Sequence, residues 1–282
     1  MIKTYYMLTK PGIIMGNVIT TAAGFALASK GHLDYWLFAI TLIGLVFFIA
    51  SAGVFNNYID RAMDAKMERT KNRALVKGTV SSKSALVFAT FLGVFGIAIL
   101  GFFTNMLTVL VALTGYFVYL VLYAFLKYHS FYGTLVGSIA GAVPPVIGYC
   151  AVSNRLDMGA LLIFMILVLW QMPHFFAIAM YRYDDYAAAA IPVLPVKKGM
   201  YVTKVHMLLY IIAFTVTALM LTIIGYTGNL YFAAAAVLGL AWLGLCINGF
   251  SINNNVLWGR KMFRYSLVVI MLLCIMITID VV

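Results

Sequence analysis

The run WLFAITLIGLVFFIASAGVF, Trp36 to Phe55, leads directly into NNYIDRAMDAKMERTKNRALVKGTVSSK, Asn56 to Lys83. The first stretch is uncharged and as long as the roughly 20 residues a helix needs to cross a bilayer. The second holds seven of the chain's 19 Lys and Arg and three of its eight Asp and Glu. A membrane helix that ends in a dense mixture of acids and bases fixes the fold class and raises the functional question together.

The rest of the chain agrees with a membrane fold. Its 282 residues are 65% hydrophobic and 10% charged, with a mean hydropathy of +1.03. The apolar runs are continuous and do not alternate every second residue, which excludes a β-barrel. Spans are predicted at about 12–29, 36–55, 84–103, 106–126, 133–152, 158–180, 204–225, 229–247 and 262–280. They describe an all-α polytopic membrane protein of nine helices in one bundle around a central cavity, with residues 1–282 forming a single domain. Lys3 and Lys10 before an apolar run ending Ala26-Leu27-Ala28 imitate a secretory leader,. The segment is read instead as a retained first membrane helix.

Charge sets the orientation. Of the 19 Lys and Arg, 17 fall at the N-terminus and in or beside the 2–3, 4–5, 6–7 and 8–9 connections, leaving only Lys30 and Arg155 on the other side. The positive-inside rule then puts the N-terminus in the cytoplasm and the C-terminus outside. The two large polar loops, about 56–83 and 181–203, are then expected to face the cytoplasm of a bacterial cell. The net charge of +11 is accounted for by this bias, so no nucleic-acid partner is expected. Cys150, Cys246 and Cys274 lie in or beside apolar runs without metal or haem-attachment spacing and read as packing residues,.

If helix 2 continues past Phe55, Asn56, Asp60 and Asp64 recur every four residues, with Asn57 beside them. The two carboxylates then lie about 6 Å apart along the axis on one face. Such a pair repels itself unless a cation lies between, and an oxygen-only set suits Mg²⁺ shared with substrate phosphates. Arg61, Lys66, Arg69, Lys71, Arg73 and Lys77 follow at once, and bases of this kind bind phosphate. Together these describe a diphosphate site. The same residues also suit an ordinary cytoplasmic loop with i, i+4 ion pairs.

Helix 6 ends LWQMPHFFAIAMYRYDDY, Leu169 to Tyr186. Trp170, His174, Tyr181 and Asp185 fall near one helical stripe, Pro173 breaks the hydrogen-bond ladder, and Asp185 with Arg182 makes a second acid–base cluster. Pro192 and Pro195 read as an ordered turn in place of a helix. His174 is either a histidine bonded between helices or a functional group at membrane depth. In helix 4, Tyr116, Tyr119 and Tyr123 form a stripe ending at Lys127. Those tyrosines suit packing, an interfacial belt, or the shielding of an allylic cation. Small residues in helix 5, GTLVGSIAGAVPPVIGY, permit close helix approach. The acidic clusters at Asp60 and Asp185 follow helices four spans apart, which suggests a parallel repeat.

TKPGIIMGN (9–17), NNYIDRAMDAKMERTKNRALVKG (56–78), YGTLVGSIAGAVPPVIGY (132–149), WQMPHFFAIA (170–179) and YRYDDYAAAAIPVLPV (181–196) resemble the intramembrane aromatic prenyltransferase superfamily. WQMPHF and IPVLPV are similar to its haem-farnesylating branch. The resemblance implies farnesyl transfer from farnesyl diphosphate to a vinyl group of haem B, with water added, giving haem O and diphosphate. It implies Mg²⁺ and diphosphate on Asn56, Asn57, Asp60 and Asp64, with Asn56, Asp60 and Asp64 as metal ligands. Arg61, Lys71, Arg73, Lys77 and Arg182 would neutralise the leaving group. His174 would contact the porphyrin or its iron, and Trp170, Tyr116, Tyr119, Tyr123, Lys127 and Tyr181 would contact haem or the prenyl chain.

The superfamily's second acidic pair is missing, since Tyr181 and Ala189 flank Asp185 four residues either side. One Mg²⁺ is therefore expected, with Asp185 supporting it or orienting a base. Implied partners are farnesyl diphosphate, haem B and membrane lipid, with handover of product to a terminal oxidase or haem A synthase. The competing readings are a prenyltransferase for a quinone precursor and a transporter of an anionic lipid or metabolite.

Overall fold

A computed structural model describes residues 1–282. Nine helices are long and apolar enough to cross a membrane: span 1 (Pro11–Ser29), span 2 (Tyr35–Asp64), span 3 (Ser82–Phe103), span 4 (Met106–His129), span 5 (Gly133–Ser153), span 6 (Met158–Tyr181), span 7 (Leu194–Ile223), span 8 (Asn229–Ser251) and span 9 (Asn255–Ile279). Helices are required because lipid offers the backbone no hydrogen-bond partners. The nine expected spans are all present, and span 2 does run on through Asn56, Asn57, Asp60 and Asp64.

Each span packs on its chain neighbours, and span 6 also packs along span 9, span 1 along spans 5 and 9. Span 2 lies along span 3 as span 6 lies along span 7, the pairing a parallel repeat would give. Spans 1 and 5 meet backbone to backbone. A Cβ on Gly24 would stand 2.0 Å from the Pro145 carbonyl oxygen, and one on Gly148 would stand 2.2 Å from that of Thr21. The small residues of helix 5 thus serve close approach. Span 5 is jointed at Ala142 between helices Gly133–Gly141 and Val143–Ser153. Pro144 and Pro145 occupy the first turn of the second piece, where no N–H is needed.

Three local features depart from simple periodicity. Span 4 passes through a π-helical stretch at Val118–Tyr123, and the wider turn breaks the tyrosine stripe. Tyr119 and Tyr123 stack 5.5 Å apart, whereas Tyr116 turns to Phe48 and the Ser51 hydroxyl of span 2. Span 6 stops at Tyr181, where Arg182 leaves helical geometry, and a short helix Tyr183–Ala188 follows. Asp185 is therefore not on one stripe with His174 and Tyr181. Pro195 also corrects the expected turn: it opens span 7 in the first helical turn, and the break comes at Gly199 with φ 83°.

The acids sort by position. Asp34 and Asp157 accept from backbone N–H groups at the starts of spans 2 and 6, and Asp280 accepts from Tyr231 in the first turn of span 8. These satisfy orphan helix donors. Asp60, Asp64, Glu68, Asp184 and Asp185 remain, all at the end of the bundle that carries the basic loops.

Candidate active site

The last turns of span 2 present Asn56, Asn57, Asp60 and Asp64 to segments from three other parts of the chain. The Asn56 amide oxygen accepts from the Lys10 ammonium, just ahead of span 1. Asn57 Nδ2 donates to the Leu8 carbonyl at 2.8 Å, and its Oδ1 is buried with no partner. Asp60 Oδ1 accepts from Lys127 and, at 2.7 Å, from the Tyr128 hydroxyl. Asp64, buried, pairs through Oδ2 with Arg73 at 2.6 Å, and the Thr70 hydroxyl donates to its carbonyl at 2.8 Å. The N-terminal segment comes this close because Gly53 lacks a Cβ, which would stand 2.8 Å from the Thr9 carbonyl oxygen.

Lys127 and Arg73 thus neutralise the two carboxylates, and a third cation, Lys10, joins the same face through the Asn56 amide. Lys10, Arg73 and Lys127 crowd one another as well as the carboxylates. Burial, reinforced by repulsion from Arg73, lowers the Lys10 ammonium from its usual value to about 7. Lys127, the partner of Asp60, lies 5.1 Å from the Tyr123 ring centre, and Tyr123 stacks on Tyr119. Aromatic faces, a cation and a carboxylate are therefore brought together at one end of span 4.

The 2–3 and 6–7 loops are latched together by Met67, Ala189 and Ile191, with Met63, Tyr128 and Tyr186 against them. Burial raises the Tyr186 phenol above its ordinary range, and Arg69 and Asp185 are among the charges acting on it. Asp185 lies 3.8 Å from Arg182, whose Nε is buried without a partner. Both acidic clusters consequently border the same end of the interior.

Not every expected base turns inward. Arg61 folds back on its own helix, donating to the Tyr58 carbonyl at 2.6 Å and lying over the Tyr58 ring. Lys71 is exposed and pairs with Glu68 at 2.7 Å, and Lys77 is exposed without an ion pair. Arg73 alone of the 2–3 loop's expected phosphate bases touches the acidic motif. Lys10, Tyr128 and Tyr186 belong to the cluster although they were not among the expected site residues; only TKPGIIMGN pointed toward the first. Trp170, His174 and Tyr181 gather elsewhere, against Phe263 and Ser266 of span 9.

No three His, Cys, Asp or Glu side chains converge, so a metal here could not be caged by protein alone. Asp60 Oδ2, Asp64 Oδ1 and the orphaned Asn57 Oδ1 carry no hydrogen bond. That is an incomplete set of hard oxygen donors, which fits Mg²⁺ completed by water and phosphate. A separate apolar cleft of about 660 Å³, lined by residues such as Leu107, Val146 and Phe164, opens near Asp157 at the opposite end of span 6. It is remote from this chemistry.

The UbiA prenyltransferase family model matches residues 17–268. The chain is 53% identical over 281 residues to the protoheme IX farnesyltransferase of Cronobacter sakazakii, covering 99% of this chain and 95% of that one. It is 51% identical over 282 residues to the protoheme IX farnesyltransferase of Protochlamydia amoebophila, covering both completely. Among solved structures, one from work on digeranylgeranylglyceryl phosphate synthase in membranes superposes with a TM-score of 0.81 at 16% identity, covering 99% of this chain and 97% of that one. A UbiA homolog from Archaeoglobus fulgidus, bound in that structure to GPP and Mg²⁺, gives 0.71 at 14% identity, covering 98% and 99%.

Proposed function

The chain belongs to the UbiA prenyltransferase family, and from that premise we propose that it transfers the farnesyl group of farnesyl diphosphate to a vinyl group of haem B, with addition of water, giving haem O and diphosphate. The observation that carries the diphosphate half is the convergence of Lys10, Lys127 and Arg73 on Asn56, Asp60 and Asp64. The acceptor half is supported by relatives of that name at about half identity over the full chain.

Asn57, Asp60 and Asp64 would hold Mg²⁺ through their unpaired oxygens, whereas Asn56, expected as a ligand, has its amide oxygen taken by Lys10 and stands beside them. The ion supplies Lewis-acid stabilisation of the charge that grows on the leaving diphosphate. Lys127 and Arg73 stand ready to shift from carboxylate to phosphate oxygens, and Lys10 from the Asn56 amide oxygen. Arg182, with an unsatisfied Nε, borders the same end of the interior, and Asp185 orients it. Arg61, Lys71 and Lys77 serve as an outer basic field that draws the anion in.

Departure of diphosphate takes the C1–O electron pair and leaves an allylic cation. Tyr119 and Tyr123 line the path from Asp60, and their ring faces favour that charge. The vinyl π pair forms the new C–C bond to C1, and the positive charge passes to the vinyl carbon next to the porphyrin ring. Water adds there and releases a proton, leaving the hydroxyl. His174, Trp170 and Tyr181 form the side of the interior that receives the porphyrin; Tyr116, turned to Ser51 and Phe48, stands apart from the tyrosine pair. Basic loops in the cytoplasm of a bacterial plasma membrane agree with the charge bias, and the product passes to a terminal oxidase or haem A synthase through the lipid.

The test offers purified protein farnesyl diphosphate, Mg²⁺ and equal amounts of haem B and 4-hydroxybenzoate, followed by mass spectrometry of both acceptors. Haem gaining a farnesyl group plus water, with the benzoate unchanged, is the expected result. Prenylated benzoate with intact haem would move the assignment to quinone precursors.

A further inference from the structure

His174 sits inside the bundle on span 6, in contact with the aromatic rings of Trp170 and Phe175 and, across the helix interface, Phe263 of span 9. Its Nδ1 lies 2.7 Å from the Ser266 hydroxyl oxygen. That hydroxyl in turn donates to the Phe263 carbonyl at 2.6 Å. A serine hydroxyl has one hydrogen. With it committed to Phe263, the Ser266 oxygen can only accept from the histidine, so Nδ1 carries the proton.

None of these neighbours is a carboxylate that would stabilise an imidazolium, so the ring is neutral and its lone pair is on Nε2. That nitrogen makes no hydrogen bond within the protein and is not among the polar atoms sealed from solvent without a partner. The ring is held on both sides: Trp170 stacks on it with centroids 4.8 Å apart, and Trp170 Nε1 donates to the Ser266 carbonyl at 2.8 Å. Ser266 therefore fixes both partners of the stack, one through its hydroxyl and one through its backbone.

A histidine kept only for packing has no use for one anchored nitrogen and one open lone pair. That arrangement matches an imidazole prepared to bind a metal, whose other N–H rests on a fixed oxygen that sets tautomer and orientation. We propose that Ser266 is the positioning residue that holds His174 in the tautomer with Nε2 free, so that the porphyrin contact implied by the resemblance is ligation of the substrate's iron through Nε2. The proposal rests on haem B being the acceptor. Ligation at the iron fixes the centre of the macrocycle and leaves its vinyl-bearing edge free to react.

The test uses the full-length protein in nanodiscs with haem B and no farnesyl diphosphate, read by resonance Raman of the ferrous complex. Wild type shows an iron–histidine stretch. His174→Ala and the shape-preserving His174→Gln lose it, and added imidazole restores a band in His174→Ala. Ser266→Ala keeps the ligand, yet the stretch moves to lower frequency because Nδ1–H has lost its acceptor, and haem binding weakens about 10-fold. Ser266→Thr returns both toward wild type. An iron–histidine band that survives His174→Ala, or an unshifted stretch in Ser266→Ala, overturns the proposal while leaving haem as substrate intact. Wild type that neither binds nor farnesylates haem overturns the acceptor assignment itself.

Discussion

Lys10 shows how one side chain can be central to a site when its only local sign is the short TKPGIIMGN stretch. Its partner Asn56 is 46 residues away, and Tyr128 and Asp60 are separated by 68, Ser266 and His174 by 92. No spacing rule reaches so far. Asn56, Asn57, Asp60 and Asp64 were legible because one helix carries them and i, i+4 repetition puts them on one face. The bases were legible only as a group. Spacing cannot tell that Arg73 turns inward to Asp64 while Arg61 lies on Tyr58. Lys10→Met removes a charge-assisted bond to the motif and to incoming phosphate, which is worth about 1.5–3 kcal/mol. Steady-state kinetics should show KM for farnesyl diphosphate rising about 10-fold or more, with Lys10→Arg retaining part of the affinity. An unchanged KM in Lys10→Met would remove Lys10 from the diphosphate site.

At the scale of elements, hydropathy located all nine spans, because an unbroken apolar run of about 20 residues matches the thickness of a bilayer and exceeds what a soluble core helix buries on every side. What it missed are changes of helical geometry made by tertiary contacts. The π-helical stretch in span 4 separates Tyr116 from Tyr119 and Tyr123, and an ideal period of 3.6 residues cannot foresee it. Hydropathy ended span 6 within a residue of Tyr181, yet the helical stripe was carried on to Asp185, since Arg182 and Tyr183 are acceptable helix residues; the latch of Met67 on Ala189 and Ile191 holds the following segment. Close approach was legible from small residues, and its energetics can be checked at two glycines. Gly24→Ala forces a Cβ into the Pro145 carbonyl and should destabilise by about 1–3 kcal/mol. Gly244→Ala meets nothing within 4 Å and should stabilise its helix by about 0.5–1 kcal/mol. Thermal unfolding in detergent reads both. Equal midpoints for the two variants would contradict the backbone contact between spans 1 and 5.

For the whole molecule, the 17-to-2 division of Lys and Arg makes a topological prediction. The three native cysteines are buried and free, so engineered ones at exposed positions can be read against a low background. Lys66→Cys should react with an impermeant maleimide only in inside-out vesicles, and Lys30→Cys only in right-side-out vesicles. The reverse pattern would place the acidic motif outside the cell. The bundle joins a site of oxygen donors and cations at its basic end to an interior lined by tyrosine, tryptophan and histidine. We propose that these act together as a metal-assisted haem farnesyltransferase. The most direct measurement follows haem B farnesylation by mass spectrometry in EDTA-treated protein, before and after Mg²⁺ is returned, for wild type and Asp60→Asn. Wild type should be silent in EDTA and recover with Mg²⁺, while folded Asp60→Asn stays lower by about 100-fold or more. Farnesylated haem in EDTA, or normal turnover by Asp60→Asn, would contradict the account.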